Sequence, residues 1–244
     1  MDSEQGYDAA TYGDQVADVY DHMYGADDEA VACLAELAGT GPVLELGIGT
    51  GRLALPLAAR GLKVHGIDAS QAMIDKLRAK PGGDDIPITI GDFADVDVDG
   101  SFPLVFIAFN TFFALLEVET QQRCFTNVAA RLGAGGRFTI GAFVPDTTRF
   151  ERNQHLEVQA VEVDGARLSA SWHDPENQRV DALIMWISNG GVRTWPARLR
   201  YSYPDELDEM AAVAGLALEH RWSGWGREPF DDDSTYHVSV YVRE

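Results

Sequence analysis

Residues Val43–Arg52 read VLELGIGTGR. A short apolar run stops at Gly47, and glycines recur at Gly49 and Gly51. A strand-to-helix crossing of this kind lets backbone N–H groups and a helix N-terminus approach a ligand closely. A dinucleotide loop would read G-x-G-x-x-G, with pyrophosphate on the helix end. Here Arg52 takes the place of the third glycine, and Glu45, two residues before the first, would repel a pyrophosphate. Spacing and charge point instead to a ligand with a positive amine or sulfonium.

Outward from this loop the chain keeps a regular rhythm. PVLELG, KVHGID, IPITIGD, FPLVFIAFN and GRFTIGAFV read as strands, and RLALPLAARG, SQAMIDKLRAK and VETQQRCFTNVAARLG as helices. Ser70 is the expected N-cap of the second of these helices, with Met73, Ile74 and Leu77 on one face. Val118, Phe125, Val128 and Leu132 form the expected apolar stripe of the third. Strands alternating with helices predict a doubly wound parallel sheet. Pro56 fits poorly: a helix starting near Thr50 would carry it beyond the first turn, where it removes a hydrogen bond.

After Val144 the pattern changes to alternation of apolar and polar residues over 156–163, 166–173, 180–188 and 192–203. Asp164-Gly165 and Asn189-Gly190-Gly191 are hairpin signals. The helical stretch PDELDEMAAVAG and two last strands, 217–222 and 237–242, follow. The expectation is one α/β domain over 1–244. It comprises a helical N-terminal lid (1–40), a sheet core (41–144), an antiparallel β insert (145–203), and a closing helix with two strands (204–244).

The chain has 244 residues, enough for a sizeable core. Its 39 Asp and Glu outnumber 19 Lys and Arg, for a net charge of −20. That surface repels nucleic acid and anionic membranes and leaves a neutral or cationic substrate. Cys33 and Cys124 lie far apart in apolar helical patterns and read as buried thiols. The N-terminus has no basic region or apolar core of a signal peptide, and no run approaches the ~20 residues of a membrane span. A cytoplasmic protein is expected.

Two further strand ends carry acids. Asp68 can accept hydrogen bonds from ribose hydroxyls, and Asp92 from an adenine amino group, with Phe93 covering the ring. As an alternative, each acid is an ordinary turn residue. VLELGIGTG, GIDAS, IGDF and FNTFFALL together resemble the class I S-adenosylmethionine-dependent methyltransferases. The resemblance implies a Rossmann-like, doubly wound seven-stranded sheet whose last strand is antiparallel. It places Gly47, Gly49 and Gly51 beside the amino-acid part of S-adenosylmethionine, Asp68 on the ribose, and Asp92 and Phe93 on the adenine. Asn110 falls where many members face both methionine moiety and substrate. Arg52, Ala69 and Met73 complete the candidate cofactor set with Glu45.

The tyrosine-rich start YDAATYGDQVADVYDHMYG is similar to the lid segment of N-methyltransferases acting on amino sugars or peptide amines. Tyr12 and Tyr20 join the cofactor set on that ground, and Tyr20 and Asn110 are the candidate catalytic residues. The function implied is methyl transfer to nitrogen or oxygen of a small molecule or short peptide, with no metal. A homodimer through the insert is a further possibility. The alternatives are a nicotinamide-dependent oxidoreductase, disfavoured by the loop spacing, and a non-catalytic cofactor-binding dimerisation module. Among the histidines, His22 lies in the lid, His65 reads as structural, and His155 and His173 as sheet-surface residues of the insert. Trp172, Trp186 and Trp195 read as core packing. Asp231, Asp232 and Asp233 read as solvated loop acids.

Overall fold

The computed structural model describes residues 6–244. Two sheets organise it. The larger is built from β1 (Val43–Leu46), β2 (Val64–Asp68), β3 (Ile88–Ile90), β4 (Phe102–Ile107), β5 (Leu132–Phe143), β10 (Leu216–Trp222) and β11 (Tyr236–Arg243). Its order is β3-β2-β1-β4-β5-β11-β10. Strands β1 to β5 pair in parallel, and β11 runs antiparallel to both β5 and β10. The smaller sheet is an antiparallel meander of β6 (Gln154–Glu162), β7 (Gly165–Asp174), β8 (Arg179–Ser188) and β9 (Gly191–Arg200).

The helices are α1 (Thr11–Met23), α2 (Asp28–Ala38), α3 (Ala54–Ala59), α4 (Gln71–Arg78), α5 (Val118–Arg131) and α6 (Pro204–Val213). All four residues of β1 are buried, as expected of a strand covered on both faces. One core cluster joins the sheet to α5 and α6 through Phe112, Phe125, Phe138, Leu207 and Tyr241. The other joins it to α2 and α3 through Leu34, Leu53, Leu57 and Phe106. The expected lid therefore divides: α2 belongs to this second core, and α1 alone lies across α4 and the small sheet.

Several expectations need correction. Helix α3 starts at Ala54, not near Thr50, so Pro56 sits in the first turn. An N–H there has no intrahelical partner to lose. Val118 is 41% exposed and Leu132 opens β5, so neither lies on the buried stripe of α5. Gln121 takes that face instead, its amide donating to the Leu115 and Arg200 carbonyls. Strand β3 is only three residues long. His173 is buried, not on the sheet surface: it stacks on Phe150 and bonds the Tyr201 hydroxyl at 2.8 Å. Trp195 is buried, whereas Trp172 is 49% exposed. Cys33 and Cys124 are free and buried, and Ser70 caps α4 by accepting from Met73 N–H.

Candidate active site

The strand order turns outward in both directions from β1 and β4, which is where open α/β sheets hold ligands at their carboxyl ends. The glycine loop leaves β1 at this point. Gly47 and Ile48 N–H both donate to the Ile67 carbonyl, at 2.8 and 3.0 Å, fastening the loop to β2. Gly49 has φ +55°, and a Cβ built on it would meet nothing within 4 Å. The backbone here is bent for glycine and faces open space. Its N–H donates to Asp68 Oδ2 at 2.7 Å, while Ser70 N–H donates to Asp68 Oδ1 at 2.9 Å. Asp68 thus ties the loop to the end of β2 and still has a lone pair on each oxygen. Burial raises its pKa, and the two N–H donors work against that shift.

Glu45 lies in the middle of β1, buried to 5% exposure, and its Oε2 has no partner among the described residues. Burial pushes its carboxyl well above the usual range, with Arg52 opposing and Asp68 adding to the shift. A buried carboxyl oxygen without a partner is costly in any fold. The chain keeps one here, on Glu45, beside a second acid and an open backbone cradle. Arg52 stacks its guanidinium 4.7 Å from the Phe109 ring and lies 3.8 Å from Asp27.

Helix α1 closes this end of the molecule. Asp14, Asp18 and Asp21 descend one side of it. Asp14 accepts from Ser70 Oγ at 2.6 Å, and Asp18 pairs with Lys76 at 2.6 Å. Asp21 accepts from Thr50 Oγ1 at 2.6 Å and pairs with Lys80, also at 2.6 Å. Lys80 Nζ donates in turn to the Thr50 carbonyl, so the latch reaches the glycine loop itself. Gly13 permits the approach: a Cβ there would stand 2.6 Å from Ser70 Cβ. In an acid-rich sequence the one signal that set these three aspartates apart was their helical spacing, with two lysines four residues apart elsewhere in the chain.

Tyr20 is carried inward by α1, and burial raises its phenol to about 12, with Arg52, Glu45 and Asp68 all felt at the ring. Tyr24 ends the helix, 4.9 Å from Tyr20 and 4.8 Å from Phe109 between ring centroids. Tyr12 packs with the same group, and burial also raises its phenol. His22 turns away and stacks on Trp186.

At the end of β4, Phe109 and Asn110 both hold positive φ, +61° and +67°. Two consecutive residues in the left-handed region are strained and need outside support. The support is Asn110, whose N–H donates to the Gly141 carbonyl and whose Oδ1 accepts from Phe143 N–H at 2.8 Å. Only its amide nitrogen remains for a ligand. Because β11 is antiparallel, its first residue, Tyr236, pairs with Phe143 at this same edge. Burial raises the Tyr236 phenol to about 12. Sequence reasoning missed Phe109, Tyr236 and Thr50 as site residues.

The remaining candidates are placed less openly. Asp92 accepts from Ala94 N–H at 2.9 Å and lies 3.9 Å from Arg123, at the end of β3. Phe93 is 8% exposed and packs in the α5 core, so most of its ring is already covered. Met73 is buried beneath α1, and Ala69 is half-buried next to Asp68.

The family described as "Methyltransferase domain" matches residues 43–136. A relative, the cypemycin N-terminal methyltransferase of a Streptomyces species, is 31% identical over 245 residues, covering 97% of this chain and 99% of its own. The solved CcbJ methyltransferase from Streptomyces caelestis is 43% identical, with a TM-score of 0.90 over 98% of this chain and 100% of that one. CalS10, an amino pentose methyltransferase from Micromonospora echinaspora solved with S-adenosylmethionine bound, is 22% identical over 94% of this chain and 97% of that one. With a TM-score of 0.70, it shares the fold. The donor set fits that cofactor: the unpartnered Glu45 oxygen would suit a cationic amino group, Arg52 would suit a carboxylate, and the lone pairs left on Asp68 would suit ribose hydroxyls. The chain belongs to the class I S-adenosylmethionine-dependent methyltransferases of the kind found in bacterial biosynthesis, and S-adenosylmethionine is its cofactor.

Proposed function

We propose that the acceptor is an amine nitrogen of a small molecule or short peptide. The observation that carries this reading is the character of the groups around Asn110. They are phenols (Tyr20, Tyr24, Tyr236), an amide and the Arg52 guanidinium. The phenols of Tyr20 and Tyr236, raised to about 12, stay protonated at neutral pH. Of the carboxyls near Arg52, Asp27 caps α2 and faces Arg52, and Glu45 and Asp68 are assigned to the cofactor. A hydroxyl acceptor needs a base as its oxygen is alkylated; a neutral amine brings its own lone pair. The relative named for methylating an N-terminus supports the same reading.

In this proposal the bound cofactor supplies an electrophilic methyl group. Tyr20 and the Asn110 amide orient the acceptor nitrogen, and α1 excludes water. Alignment of this kind is worth roughly 7–11 kcal/mol without any acid or base. Glu45, Gly47, Gly49, Gly51, Arg52, Asp68 and Asp92 hold the cofactor. The test pairs amines with alcohols of matched shape and detects methylated product by mass spectrometry. Amine products should form at a rate that rises with pH up to the amine's own pKa. Tyr20→Phe should leave that pKa in place. Methylation of alcohols alone would overturn the assignment.

A further inference from the structure

The small sheet turns one face toward the rest of the molecule, and its register decides what stands there. Ile184 and Trp195 on that face pack with Val16 and Val19 of α1. Ser169 stands opposite Ile184, and two residues back along β7 Arg167 stands opposite Trp186. Side chains two apart share a face, so Arg167 belongs to this inner one. It meets the C-terminal end of α1, its guanidinium 5.3 Å from the centre of the Tyr24 ring. Tyr24 meets Phe109 edge-on, and Arg52 lies over Phe109. Two guanidiniums therefore bracket one aromatic pair, and Asn110 directly follows Phe109 in the chain.

The two arginines differ in what surrounds them. Arg52 has Asp27 at 3.8 Å. Arg167 is half-buried, and its Nε is sealed from solvent without a hydrogen-bond partner. Among the described residues no carboxylate lies within ion-pair distance of it. Glu162, which lines the same small cavity, stands 4.0 Å from His22 instead. Other arginines of this sheet are engaged, Arg198 with Asp181 and Arg200 with Gln121 and Gln178. A buried donor left unsatisfied is costly. This chain keeps one on a guanidinium although it has 39 acids that could neutralise the charge. Stacking on Tyr24 engages the charge and satisfies none of the N–H donors. A guanidinium fork matches the two oxygens of a carboxylate, charge for charge. A phosphate dianion would bring a second negative charge toward a chain of net −20. An amine that also carries a carboxylate has no net charge, and such a surface does not repel it.

We propose that Arg167 is a specificity-determining residue that holds a carboxylate of the acceptor, so that the preferred substrate is an amino acid or short peptide presenting a carboxylate besides its amine. The amine half of this statement rests on the function proposed above; the carboxylate half rests on Arg167. The test measures kcat/KM by mass spectrometry for amino acids and dipeptides against the same compounds as C-terminal amides. Wild type should favour the free acids by roughly 10- to 100-fold, the scale of a charge-assisted hydrogen bond. Arg167→Gln should abolish that preference, chiefly through KM, and Arg167→Lys should restore part of it. A role confined to stacking on Tyr24 would slow acids and amides alike and leave their ratio intact. Circular dichroism and S-adenosylhomocysteine binding report whether each variant is folded. Hydroxy acids and their amides form a parallel series. Methylation of these alone would sink the amine reading, while their acid-to-amide ratio would still judge Arg167. Wild type that treats acids and amides equally, or turns over neither series, would overturn the proposal. So would a ratio unchanged in folded Arg167→Gln, or a preference for an aminoalkyl phosphate over the matching carboxylate.

Discussion

At the scale of single residues, Asp68 does two jobs. It ties Gly49 and Ser70 N–H groups to the end of β2, and it keeps a lone pair on each oxygen for a ligand. Asp68→Ala should weaken S-adenosylhomocysteine binding by about 1–3 kcal/mol, the usual consequence of stranding buried polar partners. Calorimetric titration reads this directly; an unchanged dissociation constant would show that the nucleoside sits elsewhere. The sharp loop after β1 and the acid at the end of β2 were legible because glycines and a strand-end acid mark such a turn in the sequence. Asn110 was legible in position but not in posture. That its Oδ1 is committed to Phe143 N–H follows from how β4 and β5 end side by side, 33 residues apart, which no local pattern encodes. Phe109 was invisible for a related reason. An aromatic residue at φ +61° defies its own preferences, and only the surrounding structure enforces it.

At the scale of elements, α1 is held onto α4 and the glycine loop by exposed or half-exposed charges. Such pairs are individually weak, ~0.2–1 kcal/mol, and screened by salt. Lys80 is the most connected, since it reaches both Asp21 and the Thr50 carbonyl. Lys80→Ala should therefore speed release of S-adenosylhomocysteine a few-fold at low ionic strength, with the gap from wild type closing as salt is added. Stopped-flow displacement measures both; equal rates at low salt would show that α1 is not the gate. The strands and helices of the core were readable because apolar runs and turn residues alternate cleanly. The buried face of α5 was not. Hydrophobicity favours Val118 over Gln121, but Gln121 reaches the Arg200 carbonyl, 79 residues away, and that bond determines which side turns inward.

At the scale of the whole molecule, pH acts through His237, fully buried on β11. Burial holds its pKa down at about 3, against about 6.5 when exposed, and nearby Arg221 adds to the effect. Between those values the unfolded chain binds the proton and the folded chain does not. Stability should thus fall as pH drops through this window, by at most about 1.4 kcal/mol per pH unit from this group. Glu45, raised by burial, contributes with the opposite sign, so the comparison must be differential. Urea unfolding of wild type and His237→Asn from neutral to acid pH should show wild type losing more. Parallel curves would assign the acid sensitivity to other groups. The latch described above has a chemical corollary. The chain contains only three lysines, at 63, 76 and 80, and two of them pair with aspartates of α1. An acylating reagent that modifies primary amines would thus find its side-chain targets sorted by whether α1 is docked, and mass-spectrometric readout at those two positions would test for its undocking without any engineered label.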